Sequence, residues 1–335
     1  MREHRPAHLS YTVSTPAKPV TTGAPFTFAS YSIASEKHMD HNEDSTISDQ
    51  RRGLAAVFDG VGGSAHGDIA SQVAARAIRK EWKRVLQHTQ TQSGSSGASI
   101  LEPPGDFDLP ATLERLVEDA HELIHEDAAR RVTSEEEQLE SQATTVALAV
   151  CYREPGSGNY MLAYAHVGDS RIYLLHADEP LKRLTDDDGY LTQLVQGEVV
   201  SEADARRIDQ ATRPDDLTEL ELSYFEKRNG ITQALGDGRD PVIHTNLTAL
   251  APGDRVILCT DGIHDNLTDR EIEEIVRRAA RTTGARRLVE QALQCSHADD
   301  QTVIRAKSDD MSAIVVTCHF QAREAMPAQD EIAPS

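Results

Sequence analysis

The sequence predicts an α+β chain built on antiparallel sheet. Two observations carry this reading. First, residues 143–152, 160–167 and 171–175 are apolar runs of strand length joined only by turns. Pro155-Gly156-Ser157-Gly158-Asn159 links the first pair and Gly168-Asp169-Ser170 the second, which leaves no room for a crossover helix. The run therefore reads as a meander, not as a Rossmann-type unit. Second, helix-spaced apolar residues occupy separate blocks, such as Ile69, Val73, Ala77, Ile78 and Trp82 in one and Leu113, Leu116, Val117, Ala120 and Ile124 in another.

In chain order, residues 1–24 carry Pro, Thr, His and basic residues without periodicity and read as a disordered arm. The main domain is expected over 25–320. Residues 26–34 alternate loosely as a first strand. A polar cluster, Glu36 to Ser45, follows and reads mostly as solvated loop. Leu54–Phe58 is a short apolar run ending in Asp59-Gly60-Val61-Gly62-Gly63, the pattern of a buried strand closed by a glycine turn. Residues 67–86 and 111–131 are helical, and 87–110, rich in Ser, Gly, Pro and Thr, reads as a flexible insertion. Residues 135–140 form a charged connection.

Beyond the three strands, 185–229 is long, charged and weakly helical, the character of a lid. Its Asp186-Asp187-Asp188-Gly189 invites a calcium-loop reading. With Gly189 at loop position six, however, Leu184 and Val195 would fill the first and last ligand positions, so that reading fails. A short strand at 247–250 comes next. Residues 255–262 then repeat the earlier pattern, an apolar strand running into Asp261-Gly262. Helices at 269–280 and 285–294 and a strand at 311–320 close the domain. Residues 321–335 read as a loose tail.

Composition limits the partners. The 335 residues carry 34 Lys and Arg against 55 Asp and Glu, a net charge of −21. This argues against nucleic acid and against anionic membranes as partners. A phosphate-bearing substrate would be repelled unless cations neutralise the site. No apolar run is long enough to span a bilayer, and the N-terminus has no signal core. Cys151, Cys259, Cys295 and Cys318 show no CxxC spacing, and three lie in strand-like segments. They are expected reduced and unpaired, in a cytoplasmic protein. A monomer is expected.

Acidic residues mark the strand ends. Asp59, Asp169 and Asp261 follow strands, Asp309 precedes one, and Glu43 is a further candidate. Each alone also fits a tight Asp-Gly turn. Gathered together, such carboxylates need cations. An oxygen-only donor set favours Mg²⁺ or Mn²⁺ over Zn²⁺. Two ions about 4 Å apart would make the site a phosphoester hydrolase.

The ordered set Asn42-Glu43-Asp44, Asp59-Gly60-Val61-Gly62-Gly63, Gly168-Asp169-Ser170-Arg171, Thr260-Asp261-Gly262 and Asp309-Asp310-Met311-Ser312 resembles the metal-dependent Ser/Thr protein phosphatase 2C (PPM) family, in its bacterial form, over roughly residues 30–320. The resemblance implies a four-layer α-β-β-α sandwich, two antiparallel sheets flanked by helices. It implies that Asp59 bridges two Mn²⁺ or Mg²⁺ ions, with the Gly60 carbonyl on one, Asp261 and Asp309 as further direct ligands, and Glu43 acting through water. Asp169 is placed for a third, weaker metal or simply to fix its turn, and Asp265 is an outer candidate. Arg171 is expected to brace its loop. The implied reaction is attack of an activated water on phosphoserine or phosphothreonine in proteins, with no phosphoenzyme. Substrates would then be the products of a Ser/Thr kinase.

Three positions depart from the family pattern. Met39 stands where an arginine usually binds phosphate, leaving Lys37 and His38 as substitutes, without a bidentate fork. Ser64 stands where bacterial members carry histidine, with His66 two residues later as candidate proton donor. Asp310 replaces the usual Asn and adds negative charge. These departures leave a rival reading, a phosphoprotein-binding or regulatory module with weak or lost activity.

Overall fold

The computed structural model describes residues 24–61, 66–93, 102–103, 107–131, 142–298 and 303–320. The expected arm before residue 24, the charged connection at 135–140, the tail from 321, and Gly62, Gly63 and Ser64 lie outside them. One sheet takes its strands in the order β1 (Phe26–Ile33), β10 (Met311–Cys318), β9 (Arg255–Cys259), β6 (Arg171–Leu175) and β7 (Lys182–Arg183). The other takes β2 (Ser45–Asp49), β3 (Leu54–Phe58), β4 (Val146–Arg153), β5 (Tyr160–Val167) and β8 (His244–Ala249). Every strand pair is antiparallel.

The alternation along β3 shows how the layers form. Ala55 and Val57 point into the space between the sheets, against Ile172, Leu258 and Ile314. Leu54, Ala56 and Phe58 point the other way, onto Ile78 and Trp82 of α1 (Gly67–Ser93) and Leu113 and Leu116 of α2 (Leu109–Arg131). The far face of the first sheet is covered in the same manner. Tyr173, Ile257 and Val315 pack on Ile272 and Val276 of α7 (Asp269–Arg278) and Leu288 and Val289 of α8 (Gly284–Ser296). Each of these buried Leu, Ile, Val and Phe side chains contributes roughly 1.5–3 kcal/mol. The result is the expected four-layer α-β-β-α sandwich.

Three expectations need correction. The meander stops after two strands: β4 and β5 form a hairpin, but β6 leaves for the opposite sheet and pairs with β9. Gly168, at φ +94°, makes the turn that lets the chain cross, a conformation open to glycine and strained for other residues. The insertion at 87–110 is shorter than expected, because α1 runs on to Ser93 and α2 begins at Leu109. Thr89 is buried on that extension, its hydroxyl donating to the Val85 and Leu86 carbonyls, so a polar residue continues the helix. Finally, the strands β2, which starts where the polar cluster ends at Ser45, and β7 are not foreseen by the sequence.

The 185–229 stretch folds as three short helices, α3 (Tyr190–Gln196), α4 (Glu202–Asp209) and α5 (Glu219–Glu226). Its own small core is Ile208, Ala211 and Phe225. Two buried arginines tie it down. Arg171 of β6 reaches Asp187 and Asp209, and Arg305 donates to the carbonyls of Asp209 and His264. This lid-like stretch, called the flap below, is thus anchored at its base.

Candidate metal centre

The interior strands β3 and β9, one from each sheet, end on the same side of the molecule. Asp59 follows β3, and Asp261 opens the short helix α6 (Asp261–His264) after β9. The Asp261 amide donates to the Asp59 carboxylate at 3.4 Å. Asp59 is fixed by its own backbone: its N–H donates to Thr145 Oγ1 (3.1 Å), and its carbonyl accepts from Thr144 Oγ1 and from the Thr145 amide, each at 2.8 Å. Gly60 has no room for a side chain, since a Cβ there would lie 2.6 Å from the Gly67 backbone and 2.7 Å from the Glu43 carbonyl. Glu43, Asp59, Gly60, Asp169, Asp261 and Asp309 all line one cavity of about 270 Å³. Every residue expected to hold metal is therefore in one place.

The donors are carboxylates and a backbone carbonyl, which fits hard divalent ions. Charge crowding supports the fit. Burial, then the charges of Asp261, Asp44, Asp169 and Asp309, push the Asp59 carboxyl well above the usual carboxylate range. Burial, then Asp261 and Asp187, do the same to Asp169, and burial raises Asp44 as well. A group whose folded pKa is raised stabilises the fold below its unfolded pKa, and that stability is lost as pH rises through the folded value. Without metal the centre should therefore weaken the fold progressively above about pH 4. The thermal midpoint gained on adding Mn²⁺ should grow as pH rises. Calorimetry with chelator and with Mn²⁺ across that window checks it; a gain that shrinks or stays level would contradict it.

One residue in the centre escaped the sequence reading. Lys307 Nζ lies 2.5 Å from Asp261 Oδ2, 2.8 Å from Asp265 Oδ2 and 3.0 Å from Asp309 Oδ2. Burial opposes its charge, but Asp261, Asp265 and Asp309 outweigh burial and hold it above the ordinary lysine range. It is an ammonium set among three carboxylates, two of them expected metal ligands. Lys307→Met should cost the metal-free protein roughly 1–3 kcal/mol, Lys307 being partly open to solvent. It should also tighten Mn²⁺ binding by roughly tenfold or more, because a like charge leaves the site. Melting and titration calorimetry read both effects, and unchanged Mn²⁺ affinity would refute the second.

Asp310, the third departure, has a structural use. Its two carboxylate oxygens accept from the Ser35 and Glu43 amides, both at 2.6 Å. Two backbone donors converge here, and a carboxylate offers an acceptor oxygen to each. The contact presses the 35–43 loop, and Glu43 with it, onto the start of β10. Asp44 is buried nearby and accepts from Thr260 Oγ1 at 2.8 Å. Its part was missed, as the motif drew attention to Glu43 alone.

The candidate phosphate contacts and proton donor lie further out. Lys37 is exposed and His38 half-buried on a 3₁₀ turn, Glu36–His38, and neither lines the cavity. His38 is the nearer: its Nδ1 is 3.7 Å from Asp310, and the His41 carbonyl, Asp310 and Glu43 together raise its pKa against the opposing effect of burial. Met39 is 78% exposed. His66 precedes α1 and does not line the cavity, although its neighbour Gly67 abuts Gly60. Asp265 is buried against Lys307 and Arg228. Arg171, expected to brace its own turn, pairs instead with Asp187 and Asp209 of the 185–229 stretch.

Comparisons with known proteins agree with this geometry. The family model described as protein phosphatase 2C matches residues 35–296. The Ser/Thr protein phosphatase PstP of Mycobacterium tuberculosis is 32% identical over 267 residues, 79% of this chain but only 42% of that protein. The chain thus spans under half the length of this relative. A crystal structure of the M. tuberculosis phosphatase PstP superposes with a TM-score of 0.62 at 25% identity, covering 88% of this chain and 99% of that one. A structure of the PstP catalytic domain in complex with two manganese ions gives a TM-score of 0.58 at 26% identity, with the same coverage. With its motifs in order, its carboxylates converging at the ends of two packed sheets and a family match over most of its length, the chain belongs to the protein phosphatase 2C family.

Proposed function

We propose that this chain hydrolyses phosphoserine and phosphothreonine in proteins, with two Mn²⁺ or Mg²⁺ ions. The observation that carries the reading is the convergence of Asp59, Asp261, Asp309, Glu43 and Asp169 on one cavity. Bound there, the ions supply a nucleophile at neutral pH and positive charge for the phosphate. The chain's own residues do the rest. Asp59, pinned by Thr144 and Thr145, would hold both ions; Asp261 and Asp309 would hold them directly, Glu43 would act through water, and Asp169 would be available to a third ion. Lys307 adds a fixed positive charge beside Asp261 and Asp309. His38 and Lys37 are the proposed phosphate contacts on the rim. His66 is the proposed donor of the proton that a serine or threonine alkoxide needs on leaving; the backbone contact between Gly60 and Gly67 supports this placement.

The substrates would be products of a Ser/Thr kinase, acted on by a monomer in the cytoplasm. Four unpaired cysteines support a reducing compartment, and among the described residues no helix is long and apolar enough to cross a membrane. Release of phosphate from a phosphothreonine peptide, with Mn²⁺ and with chelator, tests the activity. Turnover that requires the ion and exceeds that on a small aryl phosphate is expected. No turnover at any metal level would favour a binding module instead.

A further inference from the structure

We propose that His166, Asp188 and His244 form a separate cation site, of the zinc class, that fastens the base of the flap to the second sheet. His166 and His244 are direct partners in the β5–β8 register, and their rings stack with centroids 4.7 Å apart. Asp188, in the segment entering the flap, completes the group, and one donor atom from each residue lies within 4.8 Å of the others.

His166 has the outer hydrogen bond that orients a metal-binding imidazole. It is buried, and its Nε2–H donates to the Asp186 carbonyl at 2.9 Å. That bond fixes the tautomer and leaves the Nδ1 lone pair free to bind an ion, as in most metal-bound histidines. Nδ1 is buried and has no hydrogen-bond partner among the described residues. Burial also lowers the His166 pKa, which favours the neutral ring that a metal needs.

Asp188 is held as well. One of its oxygens accepts from the Gly168 amide at 2.8 Å, and the other lies 3.0 Å from His244 Nε2. A simple His–Asp pair accounts for that last contact, but it leaves the orphaned nitrogen of His166 unexplained. An ion held by His166 Nδ1, Asp188 and His244 would satisfy all three groups, once the stacked rings turn so that their in-plane lone pairs converge. Two imidazoles and one carboxylate suit tetrahedral Zn²⁺ or Co²⁺ with water as fourth ligand, with metal–donor distances of about 2.0–2.2 Å, so the cluster must draw in slightly. His244 is partly exposed and gives the ion a path from solvent. The donor chemistry differs from that of the carboxylate centre, so the two sites would take different ions.

The consequence is mechanical. Asp187, next to Asp188, is the partner of Arg171, and Gly168 precedes Asp169. An ion here would lock the flap entry to the turn that presents Asp169.

The test uses the full chain saturated with Mg²⁺ and titrated with Co²⁺, whose visible absorption distinguishes tetrahedral from octahedral coordination. One tetrahedral Co²⁺ per chain is expected, together with a rise in thermal midpoint when Zn²⁺ is added. In His244→Ala both should vanish, while Mg²⁺-supported activity stays within about twofold, as befits an exposed position outside the catalytic cavity. A tetrahedral band that survives in His244→Ala, or only octahedral absorption in the wild type, would overturn the site. Neither result depends on turnover, so the outcome is separate from that of the proposed activity.

Discussion

Asp59→Asn is expected to lower turnover by on the order of 10³-fold or more, because the ion-activated nucleophile and the charge that offsets the phosphate are lost together. The substitution keeps the shape of the side chain and removes one negative charge from a carboxylate crowded by burial and by Asp261, Asp44, Asp169 and Asp309. The backbone bonds to Thr144 and Thr145 do not involve the carboxylate and should persist. The metal-free variant should therefore melt no lower than the wild type, and it should melt higher at neutral pH, where the buried charge is most costly. Phosphate release and melting, measured on the same preparation, separate loss of chemistry from loss of fold. Activity retained to within about tenfold would show that the site has been misplaced.

Arg171→Met carries the largest expected stability cost, about 3–5 kcal/mol, since it leaves the buried Asp209 and half-buried Asp187 carboxylates with only the more distant Arg183, at 3.7 Å, as side-chain ion-pair partner among the described residues. Arg171 is 2% exposed and binds Asp187 through Nε and Nη2, at 2.6–3.1 Å, while Nη2 also reaches Asp209 at 3.0 Å. For a chain of this size the thermal midpoint should fall by roughly 5–8 °C. Lysine should rescue little, because it cannot make the forked contact with Asp187. The loss should fall first on the flap, so amide exchange in α4 should quicken ahead of exchange in β9. Uniform exchange in both elements would mean that Arg171 supports the whole core and not the flap.

The readability of these features in the sequence follows from the physics behind each. Strands such as Leu54–Phe58 and Arg255–Cys259 are legible because they are buried on both faces and so read as unbroken apolar runs. Their terminal Asp-Gly pairs are legible for the same reason, standing out against what precedes them. β2 was not legible, because Ile47 alone of Ser45–Asp49 is fully buried. The destination of β6 was hidden too: a short turn after β5 is compatible with a hairpin and with a crossing to the other sheet, and only pairing with β9, some eighty residues later, decides. Lys307 shows the same limit for the site. It reaches Asp261 across 46 residues of chain, and no local spacing encodes that approach. The family resemblance supplied the candidate ligands but not the lysine among them.

The central claim is that the carboxylates at the ends of β3 and β9 are gathered to hold two divalent ions. Anomalous diffraction at the manganese edge, from crystals of the chain grown with Mn²⁺, tests it most directly. Two strong peaks are expected in the cavity lined by Asp59, Asp261 and Asp309, both within ligand distance of the Asp59 carboxylate. A cavity that holds only the Lys307 ammonium at saturating Mn²⁺, with no anomalous signal beside Asp59, would contradict it.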